Sequence, residues 1–535
     1  MVDAAKGRGM GRTLGVKILT VESLDRVKRV ASDLVRQART KLRGCRYADI
    51  RIDVTEVKSA RAENGVGKWC ADDYVFGFGV RVLAGDPLPS PGYFGHRLGS
   101  ADVARLPILL REGLRHAYDR AIANARYKQE TRARFKGLGD SLAALTLAPI
   151  EIHQDTVKAE YVVDPRSVPL TEVNRHTIDI SRAVKGLGPR IRFNAISTST
   201  SLTRELFASS EGALIDQSFA TTLGYCTVVA ESETAEQSLF DYIGHQRGWE
   251  VITEGSRSEL VRHLDLLTFA TSLGRDCLKL VDAPPLRATD KEVVVVTDPH
   301  YNTLKAHEII GHPTELDRAL KMETGYAGRS WLLRNLKQSQ VGRQIASPLV
   351  SAYSDPGLPG LGHYIYDHEG TRGSKVVHID KGIFTGFMNS RQTAALLGVE
   401  PNGSYKAIEA SMVPLIRMSN TVFGAGATDP EKIIGEVDHG YYLVGHRTPS
   451  IAESRENFSI SAQKVYEIRK GQIGQLYRGG GMTADTKDYL MKVDAVGRDF
   501  RLSPIPNCGK GQPMQTKRLG NGAPTMRSRA RLTGL

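Results

Sequence analysis

The sequence predicts an α+β protein, with an N-terminal α+β domain on an antiparallel sheet and a C-terminal mainly-β domain that carries one distorted helix. Three observations predict it. Val21, Leu24, Val27, Val30, Leu34 and Ala38 recur at helical spacing. The stretch "YADIRIDVTEVKSARAENG" then alternates apolar and polar residues and ends in Asn64-Gly65, a hairpin signal. After about residue 345 most segments are short, Gly-punctuated and β-like.

The elements follow in order. Residues 1–20 are rich in Gly and Arg and read as a disordered lead-in. The N-terminal α+β domain spans 21–127. It holds a helix over 21–43, the alternating strand, a second strand in "YVFGFGVRVLAG", a Pro/Gly-rich loop "GDPLPSPGYFG", and a helix near 100–127. The stretch 128–147 reads as a boundary, and 128–285 as a central α+β segment that continues the same domain. There "IRFNAISTSTSLTRELFAS" alternates like a strand pair, and "EGSRSELVRHLDLLTFATSLGRDCLKLV" reads as a helix. "DAPPLRATD" is a linker into a C-terminal domain, 290–535, which opens with the buried strand "KEVVVVTD".

Composition narrows the class. The chain has 535 residues, 41% hydrophobic and 24% charged, as a globular protein with ample core has. Its net charge of +13 is spread over most of the chain, which argues against nucleic acid as the main partner. Five cysteines, scattered and without a CxxC pair, point to a reducing compartment. There is no secretory h-region and no apolar run of the roughly 20 residues a membrane span needs. The expected location is the cytoplasm, with no membrane partner.

Directly after "KEVVVVTD" comes "KAHEIIGHPTE", in which His307, Glu308 and His312 form H-E-x-x-x-H. The familiar zinc signature has its histidines four apart. Positions five apart are separated by roughly 140° on a regular α-helix, so they cannot share an ion there. A π-type turn removes the mismatch. Gly311 and Pro313 invite one, because glycine tolerates unusual dihedrals and proline disfavours αR at the residue before it. Asn302 or Thr303 is a candidate cap for the helix start. Glu308, beside a ligand, is placed to move a proton. Two histidines still leave a ligand missing. The segment alone leaves open a bland alternative, with a surface His307–Glu308 pair and a structural His312.

"HEIIGHPTELD" resembles the metal-binding segment of the TldD/PmbA metallopeptidases, a family once labelled modulators of DNA gyrase. In that family an acidic residue follows the second histidine by three positions and another comes two later. Glu315 and Asp317 stand there. The family's third ligand is a cysteine near the C-terminus in a C-G-K context, and "PNCGKGQP" places Cys508 at it. "DPGLPGLGHYIYDHEG", "LIRMSNTVFGAG" and "NFSISAQKVYEIRKGQIG" resemble further family segments, so the likeness covers about residues 25–530. It implies a zinc-dependent peptidase for unfolded or short peptides, with leader or precursor processing as the family theme. His307, His312 and Cys508 would bind one Zn2+ per catalytic subunit, and Glu308 would be the general base. Glu315 and Asp317 would orient the histidines. It also implies a dimer around an enclosed chamber, either a homodimer or a heterodimer with a related non-catalytic subunit. One departure is His368 in "YDHEG", where the family commonly has a second acidic residue.

His439 and His446 sit in "DHGYYLVGH" and read as structural or substrate-lining. The other cysteines, Cys45, Cys70, Cys226 and Cys277, read as ordinary packed or surface residues. The alternative function is a basic regulatory protein that binds nucleic acid or a topoisomerase, without peptidase activity. No helix-turn-helix, zinc-knuckle or RNP-like element carries that role.

Overall fold

The computed structural model describes residues 20–135, 145–325, 328–335 and 338–534, without the side chains of Ser23 and Arg26. Residues 1–19, nearly all of the expected lead-in, lie outside the described residues, as does 136–144 within the expected boundary.

The first half runs α1 (Asp25–Lys41), β1 (Cys45–Glu63), β2 (Val66–Ala84), β3 (Ser90–Arg97), α2 (Leu106–Arg134), β4 (Gln154–Val157) and α3 (Leu170–Lys185). There follow β5 (Ile191–Ser209), β6 (Leu214–Glu231), β7 (Glu236–His245) and α4 (Glu250–Thr253), then β8 (Ser256–Arg257), β9 (Arg262–His263) and α5 (Leu266–Asp282). Helix α1 buries Val27, Ala31, Val35 and Ala38, whereas Val30 and Leu34 of the expected stripe are half-buried at the margin of the same core. The β1–β2 hairpin turns at Asn64-Gly65, with φ of +49° and +81°, as a two-residue turn with both residues left-handed requires. Seven strands form one sheet in the order β3-β2-β1-β5-β6-β4, with β7 also on β6.

This sheet has two different faces because side chains alternate along each strand. Ile50, Ile52, Val54, Phe78, Val80 and Leu206 pack into the core under α1 and α2. The residues between them, Asp49, Arg51, Asp53, Arg81 and Glu205, face the C-terminal half. His368 sits in that junction. Its Nδ1 accepts from Arg51 at 3.1 Å and from the Ala407 amide at 2.9 Å. Its Nε2 donates to Glu205 at 3.1 Å, and Glu205 also pairs with Lys406 at 3.0 Å. A lone pair is needed at Nδ1. Burial and the Lys406 charge hold the ring neutral, with its pKa pulled down to about 3. At the position where the family commonly has an acid, this histidine still serves as an acceptor. Beside it Arg81 bridges Asp49 at 2.8 Å and Glu369 at 2.7 Å.

Several elements differ from expectation. The Pro/Gly-rich "loop" contains β3, which pairs with β2 alone at the end of the sheet order. An edge strand tolerates Pro91 because it has no second neighbour to donate to. Helix α2 continues to Arg134, past position 128. "IRFNAISTSTSLTRELFAS" is one strand, β5, rather than two. Its Ser/Thr alternation carries no turn residue to break it. The long expected helix begins only at Leu266, where the Asp265 side chain accepts from the Thr268 amide and caps it.

The second half opens with β10 (Val293–Thr297) and α6 (Pro299–Lys305). Strand β10 runs parallel to His439–Ile451 and antiparallel to Met526–Thr533. Asn457–Arg469 and Gly481–Asp485 complete a ring of strands that closes on itself. A second, six-stranded sheet ends in the antiparallel pair Gln515–Ala523 and Arg501–Lys510. Between the two lies a core that includes Val295, Tyr301, Ile309, Met418, Cys508 and Leu519. Among the described residues no helix is long and apolar enough to cross a membrane.

Candidate metal centre

The site grows from the start of α6. The Asp298 carboxylate, not Asn302 or Thr303, caps the helix, accepting from the Tyr301 amide at 2.7 Å with Pro299 at the first position. Asn302 and Thr303 are one turn further in and buried. Lys305 is wholly buried and anchors the helix by donating to Tyr489 and to Thr297 Oγ1. Burial pushes its pKa well below the ordinary lysine value.

From Ala306 to Gly311 the helix is π-type, and His312–Thr314 closes it as a 3-10 turn. The His312 amide donates to the His307 carbonyl, five residues back, which is the π pattern. Two local features keep the turn wide. Pro313 has no amide to continue an α-helix. Gly311 packs against Met418, whose sulfur would lie 1.9 Å from any Cβ added there. The two imidazoles meet edge to face, with centroids 4.7 Å apart.

Cys508 comes from the strand Arg501–Lys510, in the Pro/Gly-rich "PIPNCGKGQP". Its Sγ lies 3.7 Å from His312 Nε2. One ligand atom from each of His307, His312 and Cys508 falls within 4.8 Å of the others, and all three residues are buried. Burial alone would raise the thiol pKa. The charges of His307, His312 and Arg417 outweigh it and hold Cys508 well below the usual value, as a thiolate. The same pairing raises His307 against the effect of its own burial.

Supporting groups hold these three side chains. Glu315 accepts from His312 Nδ1 at 3.0 Å and from Arg318 Nε at 2.8 Å. Asn521 presents Oδ1 to His307 Nδ1 at 3.4 Å, with its amide nitrogen donating to the Thr421 carbonyl. Asp317 meets no histidine. It takes two bonds from Lys510, at 2.7 and 2.9 Å, and Lys510 also lies 3.2 Å from Glu315. Lys510, two residues after Cys508, thereby ties the cysteine strand to the histidine segment. Glu308 accepts from Arg455 Nη1 at 2.6 Å. Burial would raise Glu308, but Arg455 and the two histidines hold it below the usual carboxylate value.

This donor set fits zinc. Each histidine uses Nδ1 toward an oxygen acceptor and keeps Nε2, and two imidazoles with one thiolate are a catalytic zinc set with an open position. The centre opens into a cavity of about 740 Å³. Phe240 and Tyr242 of β7 line it together with His446, Arg455 and Asn507. Of the two later histidines, His446 faces this cavity, whereas His439 is exposed and pairs with Glu467 at 3.2 Å. The remaining cysteines lie apart from the centre. Cys45, Cys226 and Cys277 are buried and Cys70 is exposed. Arg455, Asn521 and the β7 aromatics escaped the sequence reading. Lys510 alone had a signal, its place two after the candidate cysteine.

The comparisons with known proteins place this chain among the metallopeptidases. Residues 290–532 match the PmbA/TldA metallopeptidase C-terminal domain. A metalloprotease of Methanothermobacter thermautotrophicus is 30% identical over 61% of this chain and 66% of its own length. A metalloprotease of Methanocaldococcus jannaschii is 26% identical over 90% and 96%. A zinc metalloprotease TldD homolog of Saccharolobus solfataricus is 30% identical over 44% and 49%. The chain belongs to the TldD/PmbA family. Two solved structures share the fold. A protein of Thermotoga maritima described as a modulator of DNA gyrase gives a TM-score of 0.69 at 16% identity, covering 95% of this chain and 100% of that one. TldE of Thermococcus kodakarensis gives 0.64 at 16%, covering 96% and 100%.

Proposed function

We propose that this protein is a zinc peptidase that hydrolyses unfolded or short peptides, with leader or precursor peptides as a natural class. His307, His312 and Cys508 are the zinc ligands. A zinc ion held there supplies Lewis acidity and brings the pKa of water toward neutrality. Glu308 takes the proton of the attacking water and returns it to the leaving amine. Arg455 holds the Glu308 carboxylate in place and ionised. Glu315 and Asn521 fix the two imidazoles so that both Nε2 atoms face the thiolate, and Lys510 keeps the ligand-bearing strand and helix in register. The protein works as a dimer, either with itself or with a related subunit lacking the ligands.

The observation that carries this reading is the convergence of His307, His312 and Cys508 on one wall of a cavity large enough for a peptide segment. Elemental analysis of wild type and Cys508→Ala tests it. The expected result is about one zinc per chain in wild type and its loss in the variant. Wild type that takes up no metal, even when zinc is supplied, removes the reading and favours the alternative of a basic regulatory protein.

A further inference from the structure

The catalytic cavity also holds a histidine that the metal centre does not use. His446 lies on the strand His439–Ile451 and is 6% exposed. It lines the same cavity as His307, Glu308, His312 and Cys508. Neither of its ring nitrogens has a hydrogen-bond partner within the protein. The Arg447 backbone makes a weak contact with the ring that favours its protonated form and falls short of full hydrogen-bond geometry. The buried His378 and His368 are unlike it. His378 uses one nitrogen on Ser354 Oγ at 2.9 Å and the other on the Gly386 carbonyl at 3.0 Å. His368 uses both as well. A buried polar group left without a partner costs about 1–3 kcal/mol, so its retention at this place needs a reason.

Its neighbours locate it against the chemistry. The ring packs on His300, with centroids 4.6 Å apart, and on Tyr242 at 6.3 Å. His300 precedes His307 by seven residues on the segment that bears the metal ligands. That is about two helical turns and roughly the same face. His300 in turn lies 3.6 Å from Asp241. Burial, and the His300 charge after it, keep the His446 imidazole neutral. A neutral imidazole offers one N–H donor and one lone pair. That is the complement of a peptide unit, which offers one carbonyl acceptor and one N–H donor. Phe240, 45% exposed on the neighbouring wall, adds an apolar surface for a side chain of the same peptide.

We propose that His446 is a substrate-contacting residue, whose ring hydrogen-bonds the backbone of an extended peptide lying in the cavity beside the metal centre. The proposal rests on the peptidase reading above.

Two hydroxamates test it on the full-length, zinc-loaded protein by calorimetry. Acetohydroxamate reports the metal centre alone, and a tripeptidyl hydroxamate adds backbone in the cavity. His446→Ala is expected to weaken the tripeptidyl compound about tenfold and to leave acetohydroxamate and zinc content unchanged. His446→Gln, which keeps a donor and an acceptor, is expected to recover part of the loss. His446→Leu fills the space without a polar group and serves if the alanine variant does not fold. His439→Ala, on the same strand but exposed, is the control and changes neither affinity. Equal affinity of wild type and His446→Leu for the tripeptidyl compound overturns the proposal. So does equal weakening of both compounds, which would make His446 a support of the metal centre. If wild type binds zinc but neither compound, the proposal falls while the metal site stands. If it binds no zinc, the peptidase reading itself has failed.

Discussion

The junction between the two halves and the metal centre are both buried, histidine-containing and crowded with charge, yet they are wired differently. At the junction His368 spends both ring nitrogens on the protein, accepting from Arg51 and Ala407 and donating to Glu205. At the centre His307 and His312 each commit Nδ1, to Asn521 and Glu315, and leave Nε2 facing a thiolate and a cavity. The first arrangement satisfies itself and joins two layers. The second directs its remaining ring nitrogens into a cavity. Buried polar groups tell structure from function by where their unused valences point, not by their burial or their charge.

The largest way to break this contrast is Glu308→Gln. It is expected to lower kcat about 10²–10⁴-fold with zinc content intact, because it removes a proton acceptor and no ligand. Peptide turnover beside elemental analysis checks it, and loss of zinc in parallel would reassign Glu308 to support. Next is a pair that separates the two regions. Arg81→Met removes the cation between the Asp49 and Glu369 carboxylates, and Lys510→Met removes the cation of Asp317 and leaves Glu315 to His312 and Arg318. Each is expected to cost about 3–5 kcal/mol in denaturant unfolding. Only Lys510→Met is expected to weaken zinc as well, about 10–100-fold in a chelator competition. If both variants left zinc affinity equal to wild type, Lys510 would belong with the junction.

The smallest effect is one of pH. The unfolded chain protonates His368 near the ordinary value of 6.5, and the folded chain resists until about 3. Between those values the unfolded state binds more protons, so stability falls as pH is lowered, by at most about 1.4 kcal/mol per pH unit from this group. Glu205, held below its ordinary value by Lys406 and His368 against its own burial, adds its loss as pH falls into and below the ordinary carboxylate range, where the unfolded chain takes up the proton and the folded chain resists it. Unfolding measured from pH 7 to 4 is expected to show the slope, and His368→Gln to flatten it. An unchanged slope in the variant would locate the acid sensitivity elsewhere.

Local signals read correctly where the physics is local. Asn64-Gly65 is a hairpin because both residues accept positive φ, and α1 is a helix because its apolar stripe has the right period. The five-residue spacing of His307 and His312, with Gly311 and Pro313 around the second, implies a widened turn without any knowledge of the rest of the chain. Propensity failed where an environment decided. β3 is a strand despite Pro91 because it has one neighbour, and Cys508 lies on a strand despite its Gly/Pro context because Gln515–Ala523 pairs with it.

The sequence by itself determined the α+β class, the hairpin, the H-E-x-x-x-H turn and, through family resemblance, the candidate ligand set, since these are carried by short segments and their chemistry. Tertiary structure alone decided that Cys508 comes within 3.7 Å of a histidine 196 residues away. It also decided that Arg455 faces Glu308, that Lys510 spans two ligand-bearing segments, and that Phe240 and Tyr242 from the other half wall the cavity. Spacing along a chain sets dihedrals and faces over a few residues, whereas the meeting of distant side chains is set by how the sheets and helices pack.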